Sequence, residues 1–298
     1  LFRSPFYYTF VDGTFFAASE IKALFATDMI KGSIDNGALN DYLRLMYVPA
    51  FKSIYSNISV LPPAHAGIVT EGKITTWQYW KILKKKRVIS YEDAKKEIKR
   101  LFAEAVEKRM VADVEIGSLL SGGVDSTIIT QEAQKYMNRP IKTFSVGFGS
   151  SKNELPYAEQ ASKQIGTDHY TLVTDTVNFS NLEEVITYFD EPHADTSNFP
   201  QALVSKLSAS KVKVALTGDG ADELFMGYGW YQKYWNTPFL KRILSNPWKS
   251  YLAETHVFTS EEIQALTGKK ISKNPEEYIV IKGLRNAIEK INAFIIVF

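Results

Sequence analysis

The residues best suited to chemistry lie between Ile116 and Thr127, where an apolar run ends in two glycines and helix formers follow at once. The run up to Leu120 is typical of a buried strand, and Thr127 to Lys135 has the spacing of a helix. Ser121-Gly-Gly-Val-Asp-Ser126 joins them. Glycines allow a tight turn and a close approach by a ligand, and the first turn of a helix offers unpaired N–H groups to an anion. This stretch therefore predicts a phosphate-binding loop.

Asp125 adds a negative charge to that loop. A carboxylate beside a phosphate is repelled unless a cation lies between them, so Asp125 predicts Mg²⁺ at the site. The hydroxyls of Ser121 and Ser126 add polar contacts. The alternative is a glycine-containing strand-to-helix turn without a ligand. The chain contains no Gly-x-x-x-x-Gly-Lys-[Ser/Thr] sequence, which disfavours a Walker-type NTPase.

A second acidic loop, Thr217-Gly-Asp-Gly-Ala-Asp-Glu223, follows the apolar run at 212–216. The pattern predicts further strands at 141–148 and 169–173 and helices at 157–166, 182–189 and 199–209. This alternation predicts an α/β fold with a parallel sheet and helices on both faces. Ligands of such sheets bind beyond the C-terminal strand ends, so the two loops can hold a phosphorylated ligand between them. Asp125 and Asp222 are then the carboxylates for Mg²⁺, and an acidic, solvated loop at a helix start is the alternative.

The residues before position 87 have mostly the pattern of β-strands, and no motif among them indicates a catalytic or binding site. Asp12-Gly13 predicts a type I′ hairpin between strands at 7–11 and 14–17. Helices are predicted at 19–26 and 36–45, and strands at 54–61 and 65–70. An amphipathic helix is predicted from Tyr91 to Arg109, with Ser90 as its N-cap. We expect a domain boundary near Lys86, which divides the chain into domains 1–86 and 87–298.

Length and composition restrict the function. The 298 residues are enough for about two domains. A net charge of +2 argues against a nucleic-acid binder, and the basic run at 84–87 is interpreted as a solvated linker. The absence of cysteine excludes disulfides, zinc–thiolate sites and a cysteine nucleophile. No apolar run approaches the roughly 18 residues of a membrane span, and no signal peptide is recognisable, so we expect a cytoplasmic enzyme.

The loop Ser121 to Ser126 resembles that of the PP-loop ATP pyrophosphatases, whose fold is of the adenine nucleotide alpha hydrolase type. Together with Thr143 to Gly147, Asp190-Glu-Pro192 and Ala215 to Tyr228, it is similar in order and spacing to the synthetase domain of the glutamine-hydrolysing asparagine synthetases. The resemblance implies that the side-chain carboxylate of aspartate attacks the α-phosphate of ATP. It implies β-aspartyl-AMP and pyrophosphate as products of that step, and ammonia then displaces AMP to give asparagine.

The resemblance also assigns roles to individual residues. Those around the adenosine are Leu119, Val146, Thr217 and Gly218. Those on the pyrophosphate and Mg²⁺ are Ser121, Gly122, Gly123, Asp125 and Ser126, with Asp222 as a second metal carboxylate. Asp219 stands where relatives carry an acidic residue important to the intermediate and its attack by ammonia, and many relatives have glutamate there.

The first part of the chain carries a resemblance of its own. Ala18 to Leu24, Tyr47-Val-Pro49, Leu61 to His65 and Tyr79-Trp80 resemble the closing part of the class II (Ntn-type) glutaminase domain of the same family. The nucleophile of that domain is an N-terminal cysteine. This chain begins at Leu1 and has no cysteine, so we do not expect it to hydrolyse glutamine. We expect an internal fragment, with part of the synthetase site beyond Phe298.

Other interpretations stay open. A related enzyme that amidates or cyclises another carboxylate, such as a β-lactam synthetase, would keep both loops, and a nucleotide-binding but catalytically incomplete chain would as well. A nucleic-acid thiolation enzyme is disfavoured by the absence of cysteine. Small-molecule partners are expected (aspartate, ATP, ammonia or glutamine), with a homodimer left open and no nucleic acid or membrane. His193 is a candidate general base, although a structural or rim role is favoured. From Asn236 onward we expect helices with breaks at Pro238, Pro247 and Pro275.

Overall fold

The computed structural model describes residues 5–81, 88–149, 153–174, 179–238 and 256–268. The basic run at 84–87 and the breaks expected at Pro247 and Pro275 lie outside these residues. The chain forms two compact units, one from residues 1–83, 186–195 and 229–298 and the other from 84–185 and 196–228. The expected boundary near Lys86 also lies outside the described residues and stays a prediction.

Within its described residues 5–81, the first unit contains a three-stranded antiparallel sheet, a separate two-stranded sheet and two helices. In chain order these elements are β1 Tyr7–Val11, β2 Thr14–Ala18, α1 Ile21–Phe25, α2 Asn36–Leu45, β3 Ser59–Val60, β4 His65–Thr70 and β5 Lys73–Gln78. The predicted hairpin is confirmed, because β1 pairs with β2 and both Asp12 and Gly13 have positive φ, 48° and 80°. The core of the unit is an apolar cluster formed by Tyr7, Ile21, Leu24, Ile30 and Ile58.

The strand predicted from Ile54 to Leu61 is wrong over most of its length, since only Ser59 and Val60 pair with β1. Before them, Tyr55 forms an isolated antiparallel bridge with Ile34, in which the N–H of Ser56 donates to the carbonyl of Ser33 at 2.8 Å. The chain then turns, and the N–H of Ile58 donates to the carbonyl of Tyr55 at 3.2 Å. Backbone groups used in these two ways are not available to a ladder with β1. β5 is an additional strand, which pairs with β4.

The segment 186–195 belongs to the first unit although it lies far along the chain. The N–H of Lys22 donates to the Asp190 carboxylate at 3.3 Å, and the N–H of Ile54 donates to the Glu191 carboxylate at 2.8 Å. The N–H of Ala194 donates to the carbonyl of Met46 at 2.9 Å. These hydrogen bonds attach the segment to the start of α1 and to the residues that follow α2.

Glu191 predicts a pH dependence of stability. Burial raises the pKa of its carboxyl, and the charge of Asp190 raises it further. The hydrogen bond from the Ile54 N–H lowers the pKa, but the net shift is upward. Because the pKa is higher in the folded state, the protonated carboxyl of Glu191 favours folding. This contribution is complete below the unfolded pKa of about 4.3 and is lost as pH rises through the folded pKa. We expect Glu191→Gln to remove this loss, so that its free energy of unfolding increasingly exceeds that of the parent between pH 4 and pH 7.

Urea unfolding at several pH values measures this difference. Glu107→Gln, at an exposed position of the long helix Tyr91–Arg109, is the matched control for the loss of one carboxylate. A Glu191→Gln difference that stays constant across the pH range would contradict the prediction.

The second unit contains the alternating strands and helices that the sequence predicts. They are α3 Tyr91–Arg109, β6 Ile116–Leu119, α4 Val124–Gln134, β7 Lys142–Phe148, α5 Leu155–Ile165, β8 Asp168–Thr174, α6 Phe179–Thr187, α7 Asn198–Ala209, β9 Val214–Leu216 and α8 Ala221–Phe225. The strands form one parallel sheet in the order β8-β7-β6-β9. Ser90 caps α3 as predicted, because its hydroxyl accepts from the N–H of Asp93 at 3.1 Å.

The sheet has helices on both faces, as the sequence predicts. Val106 of α3 and Ala133 of α4 pack with Ile116 in one apolar cluster. Val204 of α7 packs with Phe144 in a different cluster. Because successive residues of a strand point to opposite faces, these two clusters cover the two sides of the sheet.

The helix ends differ from the predictions by a few residues. α4 begins three residues earlier than predicted, at Val124, and α5 begins two residues earlier, at Leu155. The prolines and glycines at these loops mark a break in the pattern, whereas the hydrogen bonds of the first turn decide where the helix begins. Two further helices, α9 Gly229–Trp235 and α10 Ser260–Thr267, complete the described elements. Within the described part of the chain, every helix is too short or too polar to cross a membrane.

Candidate functional site

The strand order places a topological switch point between β6 and β9. From β6 the chain proceeds through β7 to β8 on one side, and β9 then pairs with β6 on the other side. The loops that follow β6 and β9 therefore leave neighbouring strand ends in opposite directions, which opens a crevice at that edge of the sheet. The two acidic loops found in the sequence are these two loops.

The loops approach each other closely at Gly218. A Cβ atom at this position would lie 3.1 Å from the backbone nitrogen of Ser126 and 3.2 Å from the Cβ of Asp125. A side chain on residue 218 would therefore press on the first turn of α4. Glycine at this position keeps the second loop in contact with the first.

The first loop turns at Gly122, where φ is +81°. A Cβ atom there would lie 2.5 Å from the backbone nitrogen of Ala158, and it would also overlap the backbone of Tyr157. Both the left-handed backbone and the contact with α5 therefore require glycine. The turn is fixed against the first half of α5.

Hydroxyl groups connect the two ends of the loop. The Oγ atoms of Ser121 and Ser126 are 3.0 Å apart, and the N–H of Ser121 donates to the Ser126 Oγ at 3.2 Å. The N–H of Gly123 donates to the Ser121 Oγ at 3.2 Å. Thr130, fully buried one turn further along α4, donates to the carbonyl of Ser126 at 2.8 Å. These bonds hold the loop as a closed turn above the helix.

The N-terminus of α4 follows this turn directly, since the helix begins at Val124. Gly123 is the N-cap, and no side chain caps the helix there. Asp125 lies in the first turn. An uncapped helix N-terminus with a positive dipole end is suited to an anion, as the sequence predicts for this loop.

The second loop is ordered by its own side chains. The Thr217 hydroxyl donates to the Asp219 carboxylate at 2.8 Å and accepts from the Asp219 N–H at 3.2 Å. α8 follows at once, with Asp222 and Glu223 in its first turn. Tyr228 donates from its hydroxyl to the Glu223 carboxylate at 2.5 Å. The carboxylates of Asp219 and Glu223 are therefore held in defined orientations.

A cavity of about 460 Å³ lies between the two loops. The predicted site residues in its wall are Leu119, Ser121, Gly123, Asp125, Ser126, Val146, Thr217, Gly218, Asp219 and Asp222. Gly122 forms the turn behind this wall, against α5. The structure thus brings the residues predicted from two distant stretches of sequence together around one cavity, while their individual roles stay predictions.

Several wall residues are absent from the sequence prediction. They are Glu154 and Leu155 at the start of α5, and Ser197, Pro200 and Gln201 at the start of α7. Asn153-Glu-Leu-Pro156 directly follows β7, so the rule that ligands bind beyond strand ends could have indicated it. No comparable signal precedes Ser197, because a whole helix, α6, separates it from the end of the preceding strand β8.

The cavity wall is acidic. Its carboxylates belong to Asp125, Glu154, Asp219, Asp222 and Glu223, and among the described lining residues there is no lysine or arginine. In the described ranges, no group of three or more histidine, cysteine or acidic side chains is arranged to hold a metal ion by itself. An anionic ligand in this cavity would therefore need to bring a cation with it.

His193 lies in the first unit, where its ring stacks on Phe189 with centroids 5.4 Å apart. Its backbone forms an isolated bridge with Tyr47. These contacts are structural, and the ring is not part of the cavity wall. The structure therefore favours the structural role expected for this histidine.

Comparisons with known proteins match both parts of the chain. The family model described as asparagine synthase matches residues 97–281, and the model described as glutamine amidotransferase domain matches residues 2–80. The first match covers the whole of the parallel sheet and both loops of the cavity.

Curated relatives carry consistent names. A putative asparagine synthetase [glutamine-hydrolyzing] 2 of Methanocaldococcus jannaschii is 31% identical over 80% of this chain and 48% of its own length. Asparagine synthetase [glutamine-hydrolyzing] 1 of Bacillus subtilis is 34% identical over 77% of this chain and 36% of its own length. The chain thus spans about half or less of the length of these relatives. On the match of the family model to most of its residues, the chain belongs to the asparagine synthase family.

Proposed function

We propose that this chain carries the ATP site of an amide ligase that makes asparagine from aspartate. The observation that carries the proposal is the meeting of the two loops around one cavity at the switch point between β6 and β9. The family match supports the same assignment. The glutamine amidotransferase match at residues 2–80 supports glutamine as the source of ammonia in the whole protein.

The cavity fits a nucleotide in one orientation. Leu119 and Val146 are apolar wall residues at the ends of β6 and β7, where an adenine ring could pack. The N-terminus of α4 and the hydroxyls of Ser121 and Ser126 are suited to the β- and γ-phosphates. Thr217 and Gly218, on the opposite loop, would contact the adenosine.

The residues present also fit Mg²⁺ carried by the nucleotide. Mg²⁺ in such sites is held by one or two carboxylates together with phosphate oxygens and water, so a complete protein cage is not required. Asp125 and Asp222, one from each loop, would hold it. Bound there, the ion would neutralise charge on the phosphates during adenylyl transfer.

The protein's own residues would then position the reacting groups. The loop hydroxyls and the α4 N–H groups would hold the leaving pyrophosphate, while the aspartate side-chain carboxylate bonds to the α-phosphorus and the bond to the β-phosphate oxygen breaks. Ammonia then attacks the acyl carbon, loses a proton, and expels AMP. Asp219, oriented by Thr217, is the acidic residue suited to the intermediate and to this proton.

Aspartate-dependent release of pyrophosphate from Mg·ATP, with ammonium as the nitrogen donor, tests the proposal. We expect the whole protein to give stoichiometric AMP, pyrophosphate and asparagine. Release that requires a different carboxylate would indicate a related amidating or cyclising enzyme. Binding of Mg·ATP without turnover under any of these conditions would overturn the ligase assignment for this chain and leave a nucleotide-binding role.

A further inference from the structure

The chain reverses direction directly after α8, at Met226. This residue has φ +61°, in the left-handed region that is costly for any residue other than glycine. Its N–H and that of Gly227 both donate to the carbonyl of Asp222, the second at 3.1 Å. Hydrogen bonds of this kind end a helix and turn the chain back along it. The residues after α8 therefore return to its first turn, which carries Asp222 and Glu223.

Gly227 stands at the point of this return where a side chain would meet Asp222. A Cβ atom at 227 would overlap the Oδ1 of Asp222 and would lie 3.0 Å from its Cγ and 3.3 Å from its Cα. These are the three nearest atoms, and all of them belong to Asp222. Gly227 is exposed, and its φ lies outside the left-handed region, so the backbone conformation does not require glycine. What glycine provides here is space for one carboxylate.

The acidic side chains of this loop are oriented in different ways. The Asp219 carboxylate accepts from the Thr217 hydroxyl, and the Glu223 carboxylate accepts from the Tyr228 hydroxyl. Among the residues that the structure describes, no hydrogen bond or ion pair holds the carboxylate of Asp222. A side chain without such a partner can choose among several staggered positions. Its orientation is therefore decided by the space that neighbouring atoms leave.

We propose that Gly227 is a positioning residue, which leaves the space in which the Asp222 carboxylate lies in the cavity wall. That this carboxylate holds the Mg²⁺ of a nucleotide rests on the proposed function, whereas the steric relation does not. The strained backbone of Met226 agrees with the proposal, because such strain collects at functional sites. A methyl group at 227 should displace the carboxylate and keep the fold, since only the end of one side chain has to move.

A double-mutant cycle of Gly227→Ala, Asp222→Ala and the double variant tests this, with the Kd for ATP measured in Mg²⁺ and in EDTA. We expect Gly227→Ala to raise the Kd for Mg·ATP about tenfold, the scale on which groups that orient a metal ligand act, and to leave the Kd in EDTA unchanged. In the Asp222→Ala background no carboxylate is left to displace. Gly227→Ala should therefore change the Kd of that variant less than about twofold.

Gly229→Ala is the matched control, because a Cβ atom at this position would have no atom within 4 Å. It should change neither Kd. Crystal structures of the ligand-free parent and of Gly227→Ala give the orientation of the Asp222 carboxylate independently of any nucleotide. We expect the carboxylate of the variant to have rotated away from residue 227, while the 227 N–H still donates to the carbonyl of Asp222.

The outcomes separate the two proposals. A rotated carboxylate in Gly227→Ala supports positioning even if Mg·ATP binds to neither protein, a result that would overturn the proposed nucleotide site alone. An unchanged carboxylate, or effects on the Kd that add in the double variant, would overturn the positioning role. If Gly227→Ala does not fold, the double variant decides: it folds if the conflict is with the Asp222 carboxylate, and its failure to fold would overturn the proposal.

Discussion

Replacing Asp125 by asparagine should reduce aspartate-dependent pyrophosphate release by about 10²- to 10³-fold. Asp125 lies in the first turn of α4 and in the cavity wall, beside the N–H groups proposed to hold the phosphates. The wall is acidic, with no lysine or arginine among its described residues, so the charge of bound phosphates depends on a divalent ion. Loss of one carboxylate that holds this ion removes charge stabilisation of the size that single electrostatic groups contribute to catalysis.

Asparagine is the suitable replacement because it keeps the shape of the side chain. The Cβ of Asp125 packs against Gly218, and a change of size would disturb the second loop as well. Raising the Mg²⁺ concentration should recover part of the activity of Asp125→Asn. Asp113→Asn, at an exposed position, is the control and should leave the rate unchanged. An Asp125→Asn protein with parental rate and parental Mg²⁺ dependence would show that this carboxylate does not hold the ion.

Replacing Gly122 by alanine should lower the free energy of unfolding by about 2–4 kcal/mol and weaken binding of Mg·ATP at least tenfold. Alanine in the left-handed region costs about 1–2 kcal/mol. A Cβ at 122 would also overlap Tyr157 and lie 2.5 Å from the nitrogen of Ala158, so either the loop or α5 must move. Glu154 and Leu155, at the start of α5, line the same cavity, and its shape would change with them.

Gly166→Ala separates the cost of backbone strain from the cost of the overlap with α5. Gly166 has φ +80°, almost the value at Gly122, yet a Cβ there would have no atom within 4 Å. We expect Gly166→Ala to cost only the backbone strain, about 1–2 kcal/mol, and to leave Mg·ATP binding unchanged. Thermal or urea unfolding gives the first quantity and calorimetric titration the second. Equal losses of stability in both variants, with normal binding in Gly122→Ala, would contradict the proposed contact with α5.

The segment 186–195 is part of the first unit, although chain order would place it in the second. Asp190 and Glu191 accept backbone hydrogen bonds from Lys22 and Ile54, which precede them by well over a hundred residues. Two residues after this segment ends, the chain reaches Ser197 in the cavity wall. A change at Glu191 should therefore alter the stability of the first unit, and unfolding at several pH values measures this change.

The sequence by itself determined the two loops and the type of sheet that carries them. Both loops are local patterns: glycines, hydroxyls and carboxylates directly after apolar runs, and their chemistry follows from residue type alone. The alternation of strands and helices likewise follows from hydrophobic periodicity, which depends on near neighbours. The resemblance to the asparagine synthetases rests on the same local stretches, and the family match is in agreement with it.

Only the tertiary structure decided which residues share the cavity with these loops. Glu154 and Gln201 line it because the order β8-β7-β6-β9 brings the starts of α5 and α7 to the same edge, and strand order depends on pairing between distant segments. The turn at Ile54 to Asn57 has the composition of a strand, yet its backbone is bonded to residues near Ser33. The hydrogen bond from the Ser145 hydroxyl to the carbonyl of Leu120 is likewise invisible in sequence, because the two residues lie 25 positions apart and meet only through the pairing of β6 with β7.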